Sequence, residues 1–115
     1  MSVTIYNTIQ RPDGNPGRNV DVTVTLVWDT SAATVARNED EDVVVRGTYT
    51  TTTDDDGYWE VALFPNSVID PADSVYKITE TLSGTTTTYY VSVEDAATPT
   101  VWIGDLLVGT PSWEA

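Results

Sequence analysis

The stretch TTTTDDDGYWEVALFPN, residues 50–66, runs from four threonines through three consecutive aspartates and a glycine into an aromatic, apolar segment. It reads either as a carboxylate site or as a chain reversal between two strands. Calcium takes about 6 to 8 oxygen ligands, and an EF-hand loop sets acids at alternate positions with glycine sixth. Asp54 and Asp56 alternate, but Tyr58 occupies the next alternate place and Gly57 arrives two residues early. The turn reading accounts for every residue. Asp54 opens a type I turn, Asp55 and Asp56 fill its centre, and Gly57 takes the left-handed conformation that closes a hairpin loop with a bulge. The turn is therefore assigned to Asp54, Asp55, Asp56 and Gly57, and no metal site is assigned, Asp54 and Asp56 being the candidates if there were one. This register pairs Thr53 with Trp59, Thr51 with Val61 and Tyr49 with Leu63, with the apolar partners on a buried face.

Outward from this turn the same period-two pattern recurs, and no window holds a helical period. In VDVTVTLVW (20–28), Val20, Val22, Val24, Leu26 and Trp28 share one face. VTIY (3–6) is a short first strand, and RPDGNPGRN (11–19), with two prolines and two glycines, is the loop that follows. Residues 29–42 are polar and ambiguous, a connection or a weak edge strand, and are assigned as a loop whose NEDED run (38–42) is a solvated face, with at most a weak, nonspecific cation site. Extended structure resumes at Val43. PNSVIDPADS (65–74), broken by Pro65 and Pro71, crosses between sheets. VYKITETL (75–82) and TTYYVSVE (87–94) flank a short hairpin around Gly84, and TVWIGDLLV (100–108) offers a last strand or turn. The expected fold is all-β: a single antiparallel β-sandwich of about seven strands over residues 1–108, with a C-terminal tail at 109–115. Its core is read as Val22, Val24, Leu26, Trp28, Tyr49, Trp59, Val61, Leu63, Tyr76 and Ile78.

At 115 residues the chain suits one domain. Its 18 acidic against 5 basic residues give a formal charge of −13, which disfavours binding to nucleic acid and to anionic membranes. Few lysines and roughly one threonine in six residues resemble proteins of salt-rich environments, where the Debye length falls to about 3 Å at 1 M and self-repulsion is tolerable. There is no cysteine and no histidine, so disulfides, thiolate chemistry and the commonest general base are missing. No spacing nominates a catalytic group, and no phosphate-binding glycine motif is present. The reading is a non-enzymatic chain without cofactors. MSVTIYNTIQ has neither a basic segment nor an apolar core of signal-peptide length, so synthesis in the cytoplasm without a signal peptide is expected.

DGNPGRNVDVTVTL (13–26), the aspartate turn with its LFPN exit, and SVYKITETLSGTTTTYYVSVEDAATPTVWIGDLLV (74–108) resemble, in that order, the small prealbumin-like or carboxypeptidase-regulatory-like β-sandwich modules of tailed-virus structural proteins. The resemblance implies an Ig-like or prealbumin-like sandwich and a virion structural protein (head decoration, fibre or tail); combined with the acidic composition, a virus infecting a haloarchaeon is expected. It would act by assembly with other virion proteins and as a homo-oligomer, with Trp102 and Trp113 as interface candidates. Related adhesin modules close an internal isopeptide between an early lysine and a late asparagine, assisted by an acid that Glu80 resembles. VTIY has no lysine and no asparagine follows Asn66, so no isopeptide is expected. Two alternatives remain open: a host-receptor or glycan-binding tip, signalled by exposed Tyr89, Tyr90 or Trp102 on one loop face, and a cellular adhesin or carrier domain.

Overall fold

The alternating segments pair into sheets whose apolar faces meet. In the computed structural model, which describes residues 2–94 and 100–114, the strands are β1 (Val3–Thr8), β2 (Asp21–Val27), β3 (Ala36–Asn38), β4 (Val43–Val45), β5 (Thr48–Thr52), β6 (Tyr58–Leu63), β7 (Ile69–Asp70), β8 (Val75–Leu82), β9 (Thr85–Val91), β10 (Thr100–Trp102) and β11 (Leu107–Val108). One layer is the five-stranded sheet β11-β9-β8-β2-β5 and the other the three-stranded sheet β10-β1-β6. A small third sheet, β4-β3-β7, adds the buried side chains of Ala36, Asn38 and Ile69. The protein is all-β and forms a sandwich. Neighbouring strands run antiparallel except β1 and β10, which are parallel.

One continuous core fills the space between the two main layers. Val22, Val24, Leu26, Tyr76, Ile78 and Val91 contribute from the larger sheet, and Val3, Ile5, Trp59 and Val61 from the smaller. Each fully buried aliphatic side chain stabilises the fold by about 1.5–3 kcal/mol relative to exposure. Trp28 and Leu63 are half-buried and pack against this cluster. Tyr49 does not belong to the core: it is 41% exposed, because β5 is the last strand of its sheet and the layer opposite ends beside it.

The strands on either side of the aspartates do not pair with each other. β5 pairs with β2, setting Thr51 beside Val22 and Tyr49 beside Val24. β6 pairs with β1, setting Val61 beside Ile5 and Trp59 beside Asn7. Residues 53–57 are thus an arch from one layer to the other, not a hairpin. Thr53 makes the crossing possible. Its hydroxyl is buried, donates to the Gly17 carbonyl at 2.6 Å and accepts from the Val20 amide at 2.9 Å. The Val20 amide is thereby satisfied by a side chain where the chain leaves its sheet, while the Thr53 amide still donates to the Val20 carbonyl at 3.1 Å.

Two further expectations are corrected. Residues 29–42 are not all loop, since Ala36–Asn38 forms β3 and pairs with both β4 and β7. Three residues with an arginine at the centre carry too little alternation to be seen in sequence. More short strands are formed among the described residues than the seven expected. The tail also holds a turn of 3-10 helix, Ser112–Glu114. At the β8–β9 hairpin, Ser83 and Gly84 both have positive φ, 51° and 82°, as a two-residue primed turn requires.

Candidate interaction surfaces

The aspartates are held by local backbone demands. One Asp54 carboxylate oxygen accepts from the amides of Asp56 at 2.8 Å and Tyr58 at 3.0 Å, while the Gly57 amide donates to the Asp54 carbonyl at 3.0 Å. Gly57 has φ +80°. Arg18 donates to the Asp55 carbonyl at 3.0 Å, tying the arch to the preceding loop. Among the described residues no three acidic, cysteine or histidine groups converge on one point. In the NEDED run, Arg37 donates to both Glu39 (3.2 Å) and Asp70 (2.7 Å), and the hydrogen bond to Asp70, then the charge of Glu39, raises its pKa. Buried Asn38 turns its carbonyl oxygen to the Asp40 amide at 3.1 Å.

A polar group does lie between the layers. Glu80 shares the inward face of β8 with Tyr76 and Ile78, and one of its oxygens accepts from the Trp59 indole at 2.8 Å and the Asn7 amide at 3.2 Å. Asn7 in turn accepts from the Trp102 indole at 3.2 Å. Strands β8, β6, β1 and β10 are thereby linked across the sandwich. The Tyr89 hydroxyl is buried nearby with no hydrogen-bond partner among the described residues, and burial, then the Glu80 charge, drives its pKa well above the usual value. Glu80 was singled out in the sequence as an isopeptide acid. Across from it on β1 stands Asn7, whereas Lys77 is on the outer face of β8, paired with Glu114 at 3.4 Å. Asn7 and Trp59 went unnoticed as members of this cluster. The available signal was phase: Asn7 alternates with Val3 and Ile5, and Glu80 with Tyr76 and Ile78, so each is polar on an apolar face.

The outer faces differ in chemistry. On the larger sheet, Thr48, Thr50 and Thr52 of β5 align with Thr25, Thr23 and Asp21 of β2, and β8 and β9 continue the rows with Thr79, Thr81, Thr86 and Thr88. On the smaller sheet, Tyr6 stacks on Tyr58 with ring centroids 5.9 Å apart and is in register with Trp102. Apart from Val35, which precedes β3, the exposed large apolar side chains among the described residues gather at the sheet edges: Val43, Val44 and Tyr49 on β4 and β5, and Trp102, Leu107 and Val108 on β10 and β11. Between β5 and β6 the sandwich is open. A groove of about 440 Å³, lined by Val24, Leu26, Tyr49, Leu63, Phe64 and Tyr76 with Arg46 beside it, reaches toward the core.

Of the two interface candidates, Trp102 is 47% exposed and lies over Gly104, where a Cβ would stand 2.3 Å from the indole ring. Trp113 is half-buried. The tail folds back so that Trp113 and Glu114 close a hollow at the end of β2 with Leu26, Val27, Trp28 and Thr30. Tyr89 and Tyr90 do not join Trp102, since Tyr90 is buried and Tyr89 faces the interior. No protein-family model and no curated protein matches the chain.

Proposed function

We propose that the chain is a non-enzymatic structural protein of a tailed-virus particle, a capsid decoration, head fibre or tail component that works by protein–protein assembly. The carrying observation is the placement of its exposed apolar side chains. Val43, Val44, Tyr49, Trp102, Leu107 and Val108 sit on edge strands, where a neighbouring chain can cover them and extend a sheet. The acidic composition fits a module that stays dispersed until it meets its site and works at high ionic strength. Association with other virion proteins and with further copies of itself, without nucleic acid or membrane, follows from this reading. Replacing Trp102 or Leu107 by glutamate tests it. Incorporation into particles should fall at least tenfold while the circular dichroism spectrum stays unchanged, and undiminished incorporation of both variants would refute an assembly role for the β10 and β11 edges.

A second reading is favoured by the short outward aromatic row of Tyr6 and Tyr58. Such a row is the surface on which a sugar ring of a host glycan would stack, making the chain a receptor-binding tip. A glycan array separates the two, because an assembly module retains no sugar.

A further inference from the structure

We infer that β5 is the self-association edge of the protein, pairing antiparallel with β5 of a second copy about a twofold axis through Thr50. The inference rests on the reading of the chain as an assembly module. β5 ends its sheet, and from Thr48 to Thr53 it carries no proline, lysine or acid, the residues that normally guard an edge. The other edges are shorter or charged: β4, β10 and β11 have three residues or fewer, and β6 carries Glu60.

The register follows from the direction of the backbone groups. The Thr53 amide donates to the Val20 carbonyl and the Thr53 carbonyl accepts from Asn19, so Thr53 faces the β2 side. Alternation along the strand then turns the backbone groups of Thr51 and Tyr49 toward β2, and those of Thr48, Thr50 and Thr52 toward solvent. Pairing about Thr50 sets Thr48 opposite Thr52 of the second copy, so every outward amide of both strands meets a carbonyl. Just beyond the paired strands lie Arg46 at one end and the Asp54 turn at the other, so antiparallel pairing brings these opposite charges to the same end of the interface, twice over by symmetry. Among the described residues Arg46 has no ion pair, and the second oxygen of Asp54 is not used by the turn. On the inner face Tyr49 comes beside Thr51 of the partner and is covered, together with the mouth of the groove it lines. The interface is isologous and closes at two copies, so it does not propagate into fibres. Each copy is strongly acidic, so added salt tightens the pairing by screening repulsion.

The test is sedimentation equilibrium of the purified chain at about 1 M NaCl, where the Debye length is about 3 Å, combined with amide hydrogen exchange. A concentration-dependent dimer is expected, with the Thr48, Thr50 and Thr52 amides gaining protection as it forms. Thr50→Pro removes an outward amide and leaves the β2 ladder intact, so it should weaken dimerisation by about tenfold to a hundredfold with unchanged melting of the monomer. A chain monomeric up to millimolar concentration overturns the inference, as does a dimer that survives Thr50→Pro with those amides still exchanging freely. If Thr50→Pro still enters particles normally, the twofold edge is wrong while the assembly reading stands. If neither form enters particles, the assembly reading itself has failed.

Discussion

Replacing Gly57 by valine perturbs the arch at its tightest point. Gly57 has φ +80°, and a Cβ there would lie 2.2 Å from the Ile9 carbonyl oxygen and 3.1 Å from the Gly17 amide nitrogen. Those atoms are already bonded: the Ile9 amide donates to the Gly57 carbonyl at 2.8 Å, and the Gly17 amide donates to the Ile9 carbonyl at 2.8 Å. A β-branched residue in the left-handed region costs about 1–3 kcal/mol. Moving the Ile9 carbonyl away weakens two backbone hydrogen bonds worth about 0.5–1.5 kcal/mol each. The sum is roughly 2–6 kcal/mol. For a domain of this size a loss of 1 kcal/mol lowers the melting temperature by roughly 4 °C, so a fall of about 8–24 °C is expected. Gly84 is the control, having φ +82° with nothing within 4 Å of its Cβ position. Gly84→Ala should cost about 1 kcal/mol, and Gly57→Ala distinctly more because the steric conflict begins at Cβ. Thermal unfolding followed by near-ultraviolet circular dichroism reads all three. Equal melting of the Gly57 and Gly84 variants would refute the close approach of the arch to residues 9 and 17.

Trp59→Phe keeps most of the buried ring but deletes the indole donor to Glu80, and should cost about 1.5–3 kcal/mol in urea unfolding; a loss below a few tenths would show that the carboxylate does not depend on it. Tyr76 and Tyr89 have pKa values raised chiefly by burial, so above pH 10 the unfolded chain ionises first and binds fewer protons than the native one. Stability should then fall by about 1.4 kcal/mol per pH unit for each tyrosine, and Tyr89→Phe should flatten the decline. Removing residues 109–115 uncovers the end of β2 and abolishes the Lys77–Glu114 pair; a destabilisation of about 1–3 kcal/mol is expected in thermal melts, and no change would mean the docked tail contributes nothing.

Local pattern was legible wherever it repeats. The alternation of residues 20–28 and 75–82 marks the two central strands of the larger sheet, and Gly84 marks the hairpin beyond. Turn chemistry at Asp54–Gly57 was equally legible, because the carboxylate and the left-handed glycine serve the turn itself. The partners of the two flanking strands were not. A tight reversal demands the same residues whether its strands pair or part, and the choice is made by β1 and β2, which lie far away in sequence. Tyr49 differs for the same reason: its inward phase is real, but among the described residues no strand of the opposite layer reaches over it. The polar link of Glu80 with Trp59 and Asn7 was half visible, as two polar residues each on an apolar face. Their meeting depends on how the layers stack.

The assembly role is tested most directly by cryo-electron microscopy of purified particles. Density for this sandwich is expected at symmetry-related positions, with edge strands β5, β10 or β11 against neighbouring chains. Particles complete without the chain, or a chain attached with all of these edges open to solvent, would contradict it.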